Sequence, residues 1–185
     1  YLEEKFNKSL SKLEKSFKIT KELYDKVRST GSQPARLYGL PKIHKNAADP
    51  KYRPILSMTN SYVTNLAKCL DDLLKRFLPQ DFTVRDTFEF TDKIRSSSLN
   101  SSYFLTSFDV ESLFTQIPVE CTIEHICTIV PSSELPLNKS TLKDLLRLSC
   151  KNIVFSFNNT MYEQFDGMCM GLNLGPTMTA YAMHM

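Results

Sequence analysis

Tryptophan is absent from this chain of 185 residues, and glycine occurs only five times. No apolar run approaches the roughly 18 residues that a membrane-spanning helix needs, and the lysine-rich residues 1–30 contain no secretory core. None of the cysteines has the CxxC spacing typical of structural zinc sites, and the five are scattered along the chain: Cys69, Cys121, Cys127, Cys150 and Cys169. An odd, scattered set indicates reduced thiols. We therefore expect an intracellular protein, nuclear or cytoplasmic, with no membrane partner.

The composition is that of a folded protein whose charge is unevenly distributed. Hydrophobic residues make up 42% of the chain and charged residues 23%, which favours one globular domain, or about one and a half. Residues 1–60 contain 13 Lys and Arg against 6 Asp and Glu, whereas residues 61–185 contain 10 against 14. A basic first third suits a protein that binds phosphates with one part and metal ions with another. The alternative is that the lysines before Arg28 only solvate helix faces.

Apolar periodicity predicts two helices and a basic hairpin in the first third of the chain. Apolar residues recur at three- and four-residue steps over 2–17, which predicts an amphipathic helix. A second, shorter helix is predicted from Thr20, as its cap, to Arg28. After a break rich in glycine, serine and proline, the extended segments 36–43 and 53–58 predict a hairpin with a long, basic tip.

The remaining two thirds are predicted to mix helices with short strands. A helix capped by Ser61 should end by Pro79, and a strand followed by a helix should occupy 81–102. The mostly apolar run 103–110 is typical of a buried strand. Further predicted elements, in chain order, are a helix over 118–130, a helix over 140–150, a hairpin formed by 153–157 and 161–165, and a helix that begins at Pro176.

Asp109 is a candidate metal ligand because of its position at the end of a predicted strand. Asp109 ends the apolar run, within the segment SFDVESLFT. A carboxylate at the exposed end of a buried strand is held rigidly, and it supplies the hard oxygen that Mg²⁺ prefers while other coordination positions stay open to substrate phosphates. An aspartate at a strand end can equally cap the following turn, so this segment alone leaves both roles open.

Three further segments accompany this aspartate block in a definite order. Residues 36–45 read RLYGLPKIHK, residues 53–57 read RPILS, and residues 167–176, beyond the aspartate block, read GMCMGLNLGP. In their order along the chain and in their amino-acid sequences, the four segments resemble the fingers motifs, the first palm motif and the glycine-rich motif of reverse transcriptases of Penelope-like retroelements. These enzymes are relatives of telomerase. The resemblance extends from about Leu23 to Ala182.

The resemblance implies template-directed transfer of deoxynucleotides, from their triphosphates to the 3′-hydroxyl of a DNA primer on an RNA template. Two Mg²⁺ ions would be the cofactors, and Asp109 would bind both of them together with the backbone carbonyl of Val110. Phe114 would lie beneath the incoming sugar, where its ring would collide with a 2′-hydroxyl. The alternative for Phe114 is a place in the core.

The resemblance also assigns residues to the rest of the nucleotide. Lys42 and Arg53, on the two arms of the predicted hairpin, would hold its phosphates, a task that suits the planar guanidinium of arginine. Lys45, at the tip, is a weaker candidate for the same task. Gly171 would let the backbone approach nucleotide and template closely, because it has no side chain.

Several positions depart from the family pattern or have open roles. Leu172 stands where the family has a small hydroxyl residue, and Tyr181 stands where it has asparagine. Tyr162 and Gln164, on the hairpin before the glycine-rich segment, are either template contacts or surface residues.

The fold that the resemblance implies is α+β, and it consists of the fingers and part of the palm of a right-hand polymerase. The family's second carboxylate pair, in an Asp-Asp hairpin, would lie beyond Met185 with the thumb and an endonuclease, so we expect an inactive fragment of an active parent. Two other functions stay open, a non-catalytic nucleic-acid-binding module and a domesticated or vestigial remnant. The expected divisions are a helical lead over 1–35, fingers over 36–100 and 120–165, and partial palm over 101–119 and 166–185.

Overall fold

The computed structural model describes residues 1–43, 48–80, 83–98 and 102–185. Within these ranges the chain forms eight α-helices and one sheet of four strands, in agreement with the α+β class. The helices are α1 (Leu2–Lys15), α2 (Lys21–Val27), α3 (Thr64–Leu74), α4 (Thr87–Ser96), α5 (Leu113–Gln116), α6 (Val119–Ile129), α7 (Lys139–Cys150) and α8 (Gly175–Met183). The strands are β1 (Ala35–Pro41), β2 (Tyr52–Ser57), β3 (Val154–Phe157) and β4 (Thr160–Glu163). No helix of the described residues is long and apolar enough to cross a membrane.

The two amino-terminal helices confirm the prediction from periodicity. Helix α1 buries Phe6 and Leu10, and the hydroxyl of Thr20 caps α2 by accepting a hydrogen bond from the Leu23 N–H at 3.2 Å. The side chain of Asn7 both donates to and accepts from the backbone of Ser29, at 2.8 and 2.9 Å. Helix α1 is thereby attached to the segment that leads into β1.

The sheet has the strand order β2-β1-β3-β4 and contains both predicted hairpins. Strands β1 and β2 are antiparallel, with Arg36 opposite Ser57, and β1 runs parallel to β3. Strands β3 and β4 are joined by Asn158 and Asn159, whose φ angles are 47° and 60°. Two successive positive φ angles are those of a type I′ turn, and asparagine tolerates this conformation better than most residues.

A buried carboxylate connects α8 to α3 in the core. The hydroxyl of Thr177 donates to Asp71 at 2.5 Å, and the ammonium of Lys75 lies 2.6 Å from the other oxygen of the same carboxylate. The phenol of Tyr181, a residue with no exposed surface, donates to the Leu74 carbonyl at 3.0 Å. Because a buried carboxylate is stable only when it is paired and hydrogen-bonded, these contacts fix the helix that follows the glycine-rich segment.

Two details of the predicted helices and strands are wrong. Ser61 does not cap α3: the helix begins at Thr64, whose hydroxyl donates to the Met58 carbonyl at 2.7 Å, and the buried Ser61 hydroxyl has no partner among the described residues. The strand expected early in 81–102 is also missing from the part of that segment that is described, although its helix is present as α4.

The buried strand predicted over 103–110 is not formed. The described residues of this segment have no regular secondary structure, and Phe104 and Phe108 are 88% and 94% exposed. A strand is stable only when its backbone groups pair with neighbouring strands, and none of β1 to β4 lies beside this segment in the sheet. The prediction of burial was therefore also wrong, because burial requires a partner that these apolar residues do not find within the described chain.

Candidate functional site

The glycine-rich loop, residues 167–174, contacts two other sequence motifs through its backbone. The Met168 N–H donates to the Phe114 carbonyl at 2.7 Å, which joins the loop to the segment that follows Asp109. The Met170 carbonyl accepts from the Leu56 N–H at 2.8 Å, which joins the loop to the free edge of β2. The structure therefore brings together three motifs that are widely separated in the sequence.

Gly171 is required by this packing. Its φ angle is 121°, a conformation that residues with a side chain rarely adopt, and a Cβ atom there would overlap the carbonyl oxygen of Leu56. The sequence predicted a close approach of backbone to nucleotide at Gly171. The contact that the structure contains is an approach to β2, and the nucleotide contact stays a prediction.

The side chain of Gln164 stabilises the glycine-rich loop through hydrogen bonds. Its amide nitrogen donates to the carbonyls of Asp166 and Gly167 at 3.0 and 2.8 Å, and its amide oxygen contacts the thiol of Cys169. Burial raises the pKa of that thiol to about 12. Tyr162, the other residue with an open role, stacks on Phe155 with the ring centroids 5.7 Å apart.

Asp109 lies on the exposed segment between 102 and the start of α5. Neither a hydrogen bond nor an ion pair joins its carboxylate to another described residue, and Val110 next to it is 44% exposed. No group of three or more His, Cys, Asp or Glu side chains that could hold a metal ion occurs within 1–43, 48–80, 83–98 and 102–185. The donor set at Asp109, one carboxylate and one neighbouring carbonyl, is of the right chemistry for Mg²⁺ but does not by itself fit a site for two ions.

Phe114, in α5, packs against the start of α8. The residue is half-buried, and its ring packs so closely on Gly175 that a Cβ atom there would lie 3.2 Å from Cε1. Its backbone carbonyl is the acceptor for Met168. The ring therefore contacts the core from the side of the glycine-rich loop, and its expected position beneath a sugar stays a prediction.

The β1–β2 hairpin presents its cations on one face. Side chains directly opposite in an antiparallel pair point to the same face, so Arg53 shares a face with Leu40 and, two residues further along each strand, with Tyr38. Beyond the end of β1, the Lys42 N–H donates to the Lys51 carbonyl at 2.8 Å. This extends the pairing, and it places Lys42 and Lys51 on the face of Arg53.

These cations are not neutralised by neighbouring carboxylates. Among the described residues, neither Lys42, Lys51 nor Arg53 takes part in an ion pair, and the Arg53 side chain is exposed. Arg36, at the start of β1, has the same alternation and lies on the same face. Lys45, the weaker candidate, lies outside the described residues.

A cavity of about 420 Å³ lies where the hairpin meets the glycine-rich loop. Tyr38 and Ile55 line it from the hairpin, Gly171 and Asn173 from the loop, and Lys68 from α3. The sequence interpretation missed Lys68 and Asn173 as cavity residues. A lysine on the exposed side of a helix carries no signal of this kind, and neither does an asparagine in a loop.

The two departures from the family pattern are accommodated by packing. Leu172 is 2% exposed and belongs to the core, so the larger side chain fills space where a hydroxyl was expected. Tyr181 is fully buried and its phenol is hydrogen-bonded to α3, as described above. Both substitutions are therefore compatible with the fold.

Comparison with known proteins identifies a family whose sequence model covers most of these motifs. The model of a protein family described as Reverse transcriptase (RNA-dependent DNA polymerase) matches residues 43–185, which include all of the glycine-rich loop, β2 and Asp109. Because this match covers most of the chain, the protein belongs to the reverse transcriptase family. Neither the curated proteins nor the solved structures gave a match. RNA-directed DNA polymerisation is thus supported at the level of the family, which in general uses an RNA template, a primer, deoxynucleoside triphosphates and Mg²⁺.

Proposed function

We propose that this chain is part of a Penelope-like retroelement reverse transcriptase, which adds deoxynucleotides to a primer 3′-hydroxyl on an RNA template. The observation that carries the proposal is the pair of backbone hydrogen bonds from the glycine-rich loop, one to Leu56 and one to Phe114. They connect the segments that resemble the fingers motif, the first palm motif and the glycine-rich motif of that family. Three motifs that share a function are expected to share a place in the fold.

Asp109 is the residue that we propose as a ligand of Mg²⁺, with the carbonyl of Val110 beside it. Its carboxylate is exposed and is not used in an ion pair with any described residue, so it is free to bind a cation. A second and third carboxylate are needed to hold two ions against their mutual repulsion. Bound Mg²⁺ would supply charge neutralisation for phosphates, and Asp109 would position it at the end of the segment that leads into α5.

The cationic face of the β1–β2 hairpin is proposed to hold the triphosphate. The guanidinium of Arg53 presents paired N–H donors to phosphate oxygens, and the ammonium of Lys42 adds a point charge on the same face. Both side chains are free of ion pairs within the described residues, so no carboxylate has to be displaced when a phosphate binds.

Phe114 is proposed to select deoxynucleotides. Its backbone carbonyl accepts a hydrogen bond from Met168 and its ring rests on Gly175, so a bulkier sugar would have to displace the ring from this packing. A ribose 2′-hydroxyl that met the ring would collide with it rather than displace it.

Primer extension by the full-length protein tests the proposed reaction. We expect extension of a DNA primer on an RNA template with deoxynucleotides, little extension with ribonucleotides, and none without a template. The homogeneity of the protein should be checked by light scattering, because the exposed phenylalanines of segment 103–110 favour aggregation. A monodisperse protein that binds primer–template but extends nothing would contradict the proposed reaction.

A second candidate function is supported by the same cationic face. A module that binds nucleic acid without catalysis would also place Arg36, Lys42, Lys51 and Arg53 on one exposed surface. Such a module would bind phosphates and lack extension activity under all conditions. Primer extension discriminates the two, because only the polymerase has an extension activity that Asp109→Asn would abolish, whereas both functions leave binding nearly unchanged in that variant.

A further inference from the structure

An exposed phenylalanine stands at the end of α1 in a conformation that disfavours it. Phe17 has a φ of 55° and is 95% exposed. Its N–H donates to the Glu14 carbonyl at 2.9 Å, and the Lys18 N–H donates to the Leu13 carbonyl at 2.9 Å. These two bonds define a Schellman motif, in which Phe17 occupies the left-handed position that is usually glycine and sometimes asparagine. Phenylalanine gains nothing there from packing, and its Cβ is strained in this conformation.

Phe17 lies at the mouth of an apolar groove of about 740 Å³, which we call the α2–α3 groove. Its walls come from the turn after α1, from α2, from α3 and from the segment before α7. Among the apolar side chains that line it are Ile19, Leu23, Leu66, Leu70, Leu73 and Leu137. Its volume and apolar lining are within the range of clefts that bind ligands or peptides.

The groove carries more positive than negative charge. Lys18, Lys26 and Arg76 line it against one carboxylate, Asp72, among the described residues. Lys18 is paired with Asp144 of α7 at 3.3 Å, whereas Lys26 and Arg76 take part in no ion pair within the described residues. Two free cations at the edge of an apolar groove favour an occupant that presents carboxylates beside apolar side chains.

We infer that the α2–α3 groove binds an acidic, amphipathic peptide segment of a partner protein, with Phe17 as the aromatic contact at its rim. Aromatic side chains, including phenylalanine, are enriched at protein–protein interfaces, and here the aromatic residue occupies a strained position where glycine would suit the fold better. The site is separate from the hairpin and the glycine-rich loop, since the residues that line it belong to neither. The inference therefore does not depend on the proposed polymerase activity.

Phe17→Gly separates binding from folding. Because the side chain is exposed and the backbone favours glycine, the thermal midpoint should stay unchanged or rise by up to about 4 °C. The affinity for the peptide should fall at least about tenfold, since an aromatic contact is lost. A large drop in the thermal midpoint would show that Phe17 serves the fold, and it would overturn the inference.

Peptides for the assay can be selected on the wild-type protein from a displayed library of random 16-residue sequences, and the Phe17→Gly protein is used only in the binding measurements that follow. The enriched peptides should be amphipathic and negatively charged, and a fluorescent copy should bind the protein by anisotropy. The Lys26→Glu/Arg76→Glu protein should bind it at least about tenfold more weakly. Lys8→Glu/Lys12→Glu, the same charge change on exposed lysines of α1 outside the groove, should leave binding within about twofold.

Cys69 reports where the peptide binds. This half-buried thiol lines the groove, and burial raises its pKa, so it should react slowly with iodoacetamide and more slowly still when the peptide is bound. Cys121 is exposed and lies outside the groove, so its alkylation, followed by peptide mass spectrometry, should not change.

Enrichment of basic peptides, or of peptides that bind the Phe17→Gly protein equally well, would overturn the inference. Protection of Cys69 by dodecanoate without any selected peptide would assign the groove to a fatty acid and would overturn it too.

Discussion

Gly171→Ala tests whether the glycine-rich loop lies on β2 as described. The added Cβ would overlap the Leu56 carbonyl oxygen, so either the loop or the strand must move, and the hydrogen bond from the Leu56 N–H to Met170 would be lost. Leu56 is 6% exposed, and an unsatisfied buried N–H costs about 1–3 kcal/mol. The φ of 121° adds about 1–2 kcal/mol of backbone strain for alanine. We therefore expect Gly171→Ala to lower the free energy of unfolding by about 2–5 kcal/mol.

Gly31→Ala is the matched control for this substitution. Gly31 also has a positive φ, 68°, but an added Cβ would have no neighbour within 4 Å. Its cost should therefore be the backbone strain alone, about 1–2 kcal/mol. Urea unfolding of both variants, followed by circular dichroism, gives the two values. If Gly171→Ala cost no more than Gly31→Ala, the contact between the loop and β2 would be refuted.

Three further predictions concern nucleotide choice, phosphate binding and acid stability. Phe114→Ala in the full-length enzyme should raise ribonucleotide use relative to deoxynucleotide use in primer extension, and an unchanged ratio would leave Phe114 a core residue only. Lys42→Ala/Arg53→Ala should reduce the slope of log affinity against log salt concentration for RNA binding by roughly 0.7–0.9 per lost phosphate contact, measured by anisotropy between about 50 and 200 mM salt. Lys8→Ala/Lys12→Ala is the control. An unchanged slope in the hairpin variant would refute the phosphate-binding role of Lys42 and Arg53. Arg147, 2.8 Å away, and Lys151, 3.2 Å away, hold the pKa of Glu120 well below its usual 4.5, at about 2. This depressed pKa stabilises the fold above about pH 4.5, and the contribution disappears as the pH falls towards 2, so the thermal midpoint of Glu120→Gln should fall less steeply over that range than that of the wild type.

Local sequence signals predicted most of the helices and both hairpins. Periodic apolar residues predicted α1, α3 and α7 to within a few residues, because each of these helices buries one face, and Pro118 predicted the start of α6. The hairpin predicted from 153–157 and 161–165 is formed, and its turn falls at Asn158 and Asn159 because both residues tolerate positive φ. These features depend on neighbouring residues, which a sequence displays directly.

Features that depend on distant partners were less predictable. The expected strand over 103–110 fails because pairing decides whether an apolar run becomes a strand, and pairing is not visible in the run itself. The contact of Thr177 with Asp71 joins residues 106 positions apart. The glycine-rich motif was recognised from its amino-acid sequence. The reason that position 171 requires glycine is visible only in the fold, where an added Cβ atom would overlap the Leu56 carbonyl oxygen.

The central claim is that Asp109 is a catalytic ligand in an RNA-directed DNA polymerase, and one comparison tests it most directly. Primer extension on an RNA template by the full-length protein should be abolished by Asp109→Asn, while the affinity for primer–template stays close to that of the wild type. Glu111→Gln removes a carboxylate just two residues away on the same exposed segment, and it should retain most of the activity. Comparable extension by the Asp109→Asn and wild-type proteins would contradict the claim.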